Sequence, residues 1–326
     1  MNEFLIILKS FSIRRLLNLI TTRVSLLLSY LFKKPVLYNQ PWAITIEPSA
    51  TCQLSCPECP VGMKDISRKN IFLSNDDFST ILKGISTKTF WLNLYFQGEP
   101  LLDNGITEKI KMATEKKMYV VLSTNAIALN KNMAIDLCNA GLSKIIISLD
   151  GADEQTHLKY RQGGNYNNTI KAIQYLRDAK KNRKSPIIEV QMLVFSYNEN
   201  QKKELRKTAL KLGANKVVFK SPQFYDMQNA TENMSSDKKY QRYKRKSDGR
   251  VLLNTKRKKI CKRLWNTMVI NSDGDVVVCC YDKFSKHVMG NAVENKATSI
   301  WENEKFNNFR LEFLKGKQKE ICSNCL

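Results

Sequence analysis

The sequence predicts an α/β fold of consecutive strand–helix units, and three observations carry that expectation. From Ala43 to Phe219, short apolar runs alternate with amphipathic helical stretches about six times. Such alternation argues for parallel βα units, which right-handed crossovers curl into a barrel or an open doubly wound sheet. The polar and sulfur-bearing motifs fall just after the predicted strands, the end at which these folds do their chemistry. Finally, seven of the nine cysteines form two groups with ligand-like spacing.

Taken in order, Ala43–Glu47 reads as the first strand, and it runs into a cysteine loop. Ser74-x-x-Asp77 has the form of a capping box and opens a helix with Phe78, Ile81, Leu82 and Ile85 on one face. Trp91–Phe96 is the second strand. Asp103 can cap the next helix, which carries Ile106, Ile110 and Ala113. Tyr119–Leu122 is a strand, and Lys131–Ala140 a helix that Gly141 can end. Ile145–Leu149 is a strand of nearly continuous apolar character, broken only by Ser148, as buried parallel strands show. Ile170–Ala179 is helical, Ile187–Phe195 a strand, Asn198–Leu212 a helix and Lys216–Phe219 the sixth strand. Asp273-Gly274 signals a hairpin turn within 269–278.

Cys52, Cys56 and Cys59 follow the first strand in a C-x3-C-x2-C run. A closed zinc site takes four protein ligands, and a 4Fe–4S cluster held by protein alone takes four cysteines. Three cysteines on a cluster leave one iron open to a small molecule. Gln97-Gly98-Glu99-Pro100 follows the second strand, Ser123-Thr124-Asn125 the third, and Ser148 with Asp150 the fourth.

The cysteine loop together with Gly98-Glu99-Pro100 resembles the radical S-adenosylmethionine (SAM) enzymes. The resemblance spans roughly residues 42–326 and implies a partial (β/α)6 barrel. It also implies a 4Fe–4S cluster on Cys52, Cys56 and Cys59, with SAM on the open iron. By the same resemblance Gly98, Glu99 and Pro100 receive the SAM amine. Ser123, Asn125, Ser148 and Asp150 contact its ribose and carboxylate, Arg161 holds the carboxylate, and the Leu193 backbone meets adenine. This chain departs from the family in three places. Gln97 stands for the first glycine, Ala126 stands where many relatives have glycine, and Glu58 stands where an aromatic residue commonly packs near adenine.

Cys261, Cys279, Cys322 and Cys325 form the second group, with Gly274 five residues before Cys279 and a terminal C-x2-C. This set resembles the SPASM/twitch auxiliary domain and implies one auxiliary 4Fe–4S cluster. Four thiolates suit zinc equally well, so zinc is the structural alternative. Cys280 reads as a bystander of Cys279, and Cys138 as a core residue.

The net charge is +23, and thirteen basic residues crowd positions 237–263. Such an excess attracts an anionic partner, whether lipid surface, acidic substrate or nucleic acid; nucleic acid is placed last. Residues 1–34 are apolar but interrupted by Arg14, Arg15 and Arg23, too polar for a spanning helix of about 20 apolar residues. Leu16, Leu19, Ile20, Leu27, Leu28 and Leu31 suit either a helix lying on an anionic membrane surface or one packed on the protein's own barrel. The expected organisation is an amphipathic segment at 1–34, the barrel at 35–225, a basic linker at 226–260 and an auxiliary-cluster domain at 261–326. The cysteine usage fits a reducing cytoplasm, with peripheral attachment to the inner membrane face as a variant.

The resemblance implies reductive cleavage of SAM, with an electron from a partner such as flavodoxin or ferredoxin. The resulting 5′-deoxyadenosyl radical takes hydrogen from substrate. A net oxidation of a sugar, polyol or other metabolite is the first expectation, and modification of a peptide the second. A non-catalytic metal-binding protein docked on lipid is the alternative from another class. No dedicated base stands out; Asp226 and Asp282 are the candidates.

Overall fold

The computed structural model describes residues 3–69, 71–254, 260–323 and 325. Two helices come first, α1 (Glu3–Leu8) and α2 (Ile13–Phe32). The repeating part follows as β1 (Ala43–Ile46), α3 (Asn75–Gly84), β2 (Trp91–Asn93), α4 (Ile106–Glu115), β3 (Tyr119–Thr124) and α5 (Lys131–Asn139). It continues as β4 (Lys144–Ser148), α6 (Glu154–Tyr160), α7 (Tyr166–Lys180), β5 (Ile187–Leu193), α8 (Lys202–Leu212) and β6 (Lys216–Lys220). After it come α9 (Met227–Asn233), a hairpin of β7 (Tyr243–Arg245) and β8 (Val251–Leu253), and α10 (Arg263–Asn266). The chain finishes with β9 (Thr267–Ile270), β10 (Asp275–Val277), β11 (Val288–Asn291), α11 (Ala297–Glu302) and α12 (Glu304–Leu314).

Strands β1 to β6 pair in sequential order and all in parallel, as the alternating pattern predicts. Strand β9 adds to the other side of β1, also in parallel, with Ala43 opposite Thr267. Strands β10 and β11 follow antiparallel. One nine-stranded sheet results, with β11 and β6 as its edges, so the barrel is partial and open.

The two faces of the sheet differ. Val120, Leu122, Ile145, Ile147 and Val190 pack beneath the helices with Phe78, Ile110, Leu137 and Ile173. On the opposite face Tyr119, Val121, Ile146 and Ile187 meet Ile6 of α1. β4 is buried at every residue, which is why its centre reads as the apolar run Ile145–Ile147.

Local signals place most helix ends. The Ser74 hydroxyl accepts from the Asp77 amide at 3.0 Å and caps α3. One cap differs from the expectation. Helix α4 begins after Gly105, and Asp103 instead accepts from the Gly105 amide at 2.9 Å and pairs with Lys109 at 2.8 Å. A carboxylate two residues upstream satisfies the turn and the lysine together, which a cap position would not allow. Residues 226–260 carry α9 and the β7–β8 hairpin; Lys256, Arg257, Lys258 and Lys259 of the basic run lie outside the described residues.

Candidate active site and auxiliary cluster site

The cysteine loop leaves β1 and folds back in tight turns, with the Cys59 amide donating to the Cys56 carbonyl at 3.1 Å and Met63 to Cys59 at 2.8 Å. Leu54 and Cys56 are buried in an apolar cluster of their own with Tyr160, Phe195, Phe224 and Tyr243. The Ser55 amide donates to the Gln162 carbonyl at 3.0 Å, which ties the loop to the segment after α6.

Gly98 makes the next loop fit. A Cβ there would stand 2.2 Å from the Ser49 carbonyl oxygen and 2.7 Å from that of Thr51, so the two loops can cross only at a glycine. The following Glu99 amide donates to Thr51 at 2.8 Å. The Glu99 carboxylate accepts from the Thr124 hydroxyl at 2.6 Å, the Asn125 amide at 2.8 Å and the Leu101 amide at 3.0 Å. Burial pushes this carboxyl up, and those three donors work against it. Glu99 therefore splices the loop after β2 to the end of β3. Pro100, buried, starts the single turn that follows.

At the end of β3, Ser123 is half-buried and Asn125 reaches the cluster loop. The Asn125 amide group donates to the Cys52 sulfur at 3.5 Å, and its oxygen accepts from Gln53 at 3.3 Å and from the Ile127 amide at 3.0 Å. Ala126 takes a left-handed φ of 63°, which is the physical reason glycine suits that position.

The end of β4 is a latch. Asp150 accepts from Arg161 at 2.6 Å and from the Leu193 amide at 2.6 Å. Asn198, fully buried, donates to the carbonyls of Asp150 and Leu193, both at 2.9 Å. His157 accepts from the Asp150 amide at 3.2 Å, and burial lowers its pKa to about 4, so it is neutral at pH 7. Burial works against the Arg161 charge, and Asp150 with Cys56 more than reverses it, holding the guanidinium fully protonated. The nearby Arg161 charge works against the burial that raises the Cys56 thiol. Ser148 is buried at the strand end. Asp150, Arg161 and Leu193 thus come together beside Cys56, while Glu99 and Asn125 come together beside Cys52.

The two candidate bases are elsewhere engaged. Asp226 is exposed and caps α9, accepting from the Gln228 amide at 2.8 Å. Asp282 is fully buried and accepts from the Lys286 and His287 amides at 2.9 and 2.8 Å. Each carboxylate orders backbone, as short acidic side chains at turns do.

Several residues take roles that sequence reading does not give. Glu58 accepts from the Tyr225 amide at 2.7 Å and from Asn229 at 2.9 Å, tying the cluster loop to α9. Glu47, just beyond β1, pairs with Arg68 at 3.1 Å and accepts from the Gln97 and Ser272 amides. Arg68 continues to the Lys283 carbonyl and the Ser285 hydroxyl, both at 3.0 Å. This staple joins the cluster loop to the C-terminal segment. Burial lowers Lys283, against the opposing pull of Cys59 and Cys280. Nothing in local sequence gives these roles, because the partners lie far along the chain; Glu58 stood out only as a departure from the family pattern.

The second cysteine group lines one cavity of about 660 Å³, in which Cys261, Cys279, Cys322 and Cys325 all take part and Cys280 does not. Arg310 anchors its wall. It is buried between Trp301 and Phe306 and donates to the Leu264 carbonyl at 2.9 Å. Gly274, at φ 83°, turns β9 into β10 and so delivers Cys279.

The donor chemistry fits iron–sulfur clusters at both places. Burial pushes Cys52 up to about 11, with Cys56 and Cys59 adding to the effect, and it pushes Cys261 up as well. Such thiols keep their protons until a metal displaces them. Among the described residues no three His, Cys, Asp or Glu side chains gather to hold one ion. A 4Fe–4S cluster makes no such demand, because each thiolate binds a different iron.

Comparisons with known proteins agree with this geometry. The Radical SAM superfamily profile matches residues 46–209, and the SPASM profile, an iron–sulfur cluster-binding domain, matches residues 261–326. Fe-coproporphyrin III synthase of Methanosarcina barkeri is 33% identical over 129 residues, 40% of this chain. PqqA peptide cyclase of Rhodopseudomonas palustris is 29% identical over 117 residues, 36% of this chain. Each alignment spans only 30% of the relative's own length. Streptococcus suis SuiB bound to S-adenosylmethionine superposes with a TM-score of 0.63 at 17% identity, covering 83% of this chain and 68% of SuiB, a likeness of fold.

Proposed function

We propose, on the premise that this chain belongs to the radical SAM superfamily, that it is an oxidoreductase with two cluster sites of unlike duty. In this reading Cys52, Cys56 and Cys59 hold the SAM-binding 4Fe–4S cluster, and Cys261, Cys279, Cys322 and Cys325 hold an auxiliary one. When bound, the first cluster and SAM supply reductive carbon–sulfur cleavage and hydrogen-atom abstraction from substrate.

The chain's own residues would then act by placement. Arg161, kept charged by Asp150, offers its remaining N–H groups to a carboxylate, a contact of about 1.5–3 kcal/mol. Asn125 orients Cys52 and closes that side of the loop. The aromatic cluster of Tyr160, Phe195 and Phe224 keeps water from the buried side. Ser123 and Ser148 stand at the strand ends where a ribose would lie.

One observation carries the oxidative reading. The β1–β9 pairing and the Glu47–Arg68 staple hold the auxiliary cysteines and the first loop on one continuous sheet. An auxiliary cluster held by these cysteines would supply an electron acceptor at a fixed place relative to the first loop. A reduced flavodoxin or ferredoxin is the proposed donor.

Two substrate classes follow. A sugar, polyol or other small metabolite is one. An acidic peptide is favoured by a specific feature: the β7–β8 hairpin packs on α9, which Glu58 ties to the cluster loop, and its Lys244, Arg245 and Arg250 are exposed.

Anaerobic reconstitution tests the assignment. The intact chain should take up about eight irons and turn SAM into 5′-deoxyadenosine once reduced. The Cys261→Ala/Cys322→Ala variant should keep SAM cleavage and lose substrate oxidation. Substrate oxidation that survives in the folded variant overturns the proposal.

A further inference from the structure

Helix α2 is built inside out. Arg15, Asn18, Thr22, Ser25 and Ser29 are buried, while Ile13, Leu16, Ile20, Leu27 and Leu31 are exposed. At 3.6 residues per turn these are opposite faces of one helix. The polar face is satisfied by the protein itself. Arg15 donates to the carbonyls of Ser10, Thr87, Lys116 and Lys117 at 2.6 to 3.2 Å. Asn18 donates to the Gln40 carbonyl at 2.9 Å, and Ser29 accepts from Trp265 Nε1 at 3.1 Å. An ordinary surface helix turns its polar side to water; this one turns it to the barrel. Ile13 is 78% exposed, and Leu27 and Leu31 are each 68% exposed.

The charge around this stripe selects the occupant. From Phe4 to Tyr38 the sequence has no Asp or Glu, whereas Arg14, Arg23, Lys33 and Lys34 are all exposed. An apolar stripe whose own segment carries basic residues and no acidic ones complements an anionic lipid surface. Among the described residues no helix is long and apolar enough to cross a membrane, so the fit is to lying on it.

Placement in the fold sets the orientation. The α2 contacts fall just ahead of β1, β2, β3 and β9. Glu3 of α1 meets Tyr119, Lys144 and Lys216, the first residues of β3, β4 and β6. Both helices therefore cover the strand-start end, and the cysteine loop stands at the strand-finish end. We infer that α2 docks the protein on an anionic bilayer by its outward apolar face, with the cluster mouth turned away from the lipid. The inference is independent of the substrate and of the oxidative reading.

Flotation of the full chain with phosphatidylcholine vesicles, with and without phosphatidylglycerol, tests it. The protein should float with the anionic vesicles, more weakly with neutral ones, and less as salt is raised. Leu27→Asp/Leu31→Asp should abolish flotation while thermal melting and cluster absorbance stay unchanged. Arg14→Gln, Arg23→Gln and Lys33→Gln provide a second route, each weakening partition about fivefold. Three outcomes overturn the inference: no flotation with anionic vesicles, flotation unaffected by the two aspartates, or a solution dimer that those aspartates split, which would make the face a contact between copies.

Discussion

The two cysteine groups are assembled in opposite ways. Cys52, Cys56 and Cys59 come from one short loop, and polar bonds to distant segments latch it: Asn125 on Cys52, the Gln162 carbonyl on the Ser55 amide, and Glu58 on Asn229 of α9. Cys261, Cys279, Cys322 and Cys325 come from segments before α10, after β10 and after α12, and apolar packing with a sheet extension gathers them round one cavity. A local site needs latches to hold its shape, whereas a distributed site needs the fold around it. The two should therefore fail separately.

The largest effect expected is from a methyl group in each supporting turn. Gly98→Ala drives a Cβ into the Ser49 and Thr51 carbonyls, while Gly274→Ala meets the Asn291 and Val293 side chains at 2.7 Å from a left-handed turn. Each should cost about 2–3 kcal/mol. Gly98→Ala should remove the first cluster and SAM cleavage but keep the auxiliary cluster; Gly274→Ala should do the reverse. Iron content, near four per chain in each variant, with electron paramagnetic resonance of the remaining cluster, reads the outcome. Loss of both clusters in either variant would break the comparison.

The latch beside Cys56 has a pH signature. His157 titrates near 6.5 when unfolded and about 4 when folded, so the unfolded chain takes up the proton first. The stability it contributes is complete above pH 6.5 and disappears as pH falls toward 4. About 2 kcal/mol should be lost between pH 7 and pH 5. His157→Gln, which keeps an acceptor for the Asp150 amide, should flatten that part of the profile in urea melts.

The smallest effect is expected at Ala126. Its left-handed backbone costs about 1 kcal/mol, which Ala126→Gly would relieve. The lost methyl burial and the freer unfolded chain nearly offset this. A change in melting stability within about 1 kcal/mol, with SAM turnover intact, fits; a larger loss would mean the methyl group itself supports the Asn125 turn.

Much of this architecture was legible beforehand because it rests on periodicity and short spacings. The apolar run of β4 reports burial on both faces, and Ser74 announces α3 by a bond three residues long. For Asp226 and Asp282 the residue type alone suggested chemistry, whereas the partners the structure gives them are turn amides. The apolar face of α2 was also visible, although whether it met the barrel or a lipid surface was not. The structure shows the barrel on its polar side.

The sequence by itself determined the parallel βα order, the three-cysteine loop and its place beyond the end of β1, because these depend on residues within a turn or two of one another. Only the tertiary structure decided that β9 joins β1, that Glu58, Glu47 and Asn198 serve as ties, and that α2 faces outward with its apolar side. Those outcomes depend on which distant donors meet which acceptors, and a buried polar group must find its partner wherever the folded chain brings one.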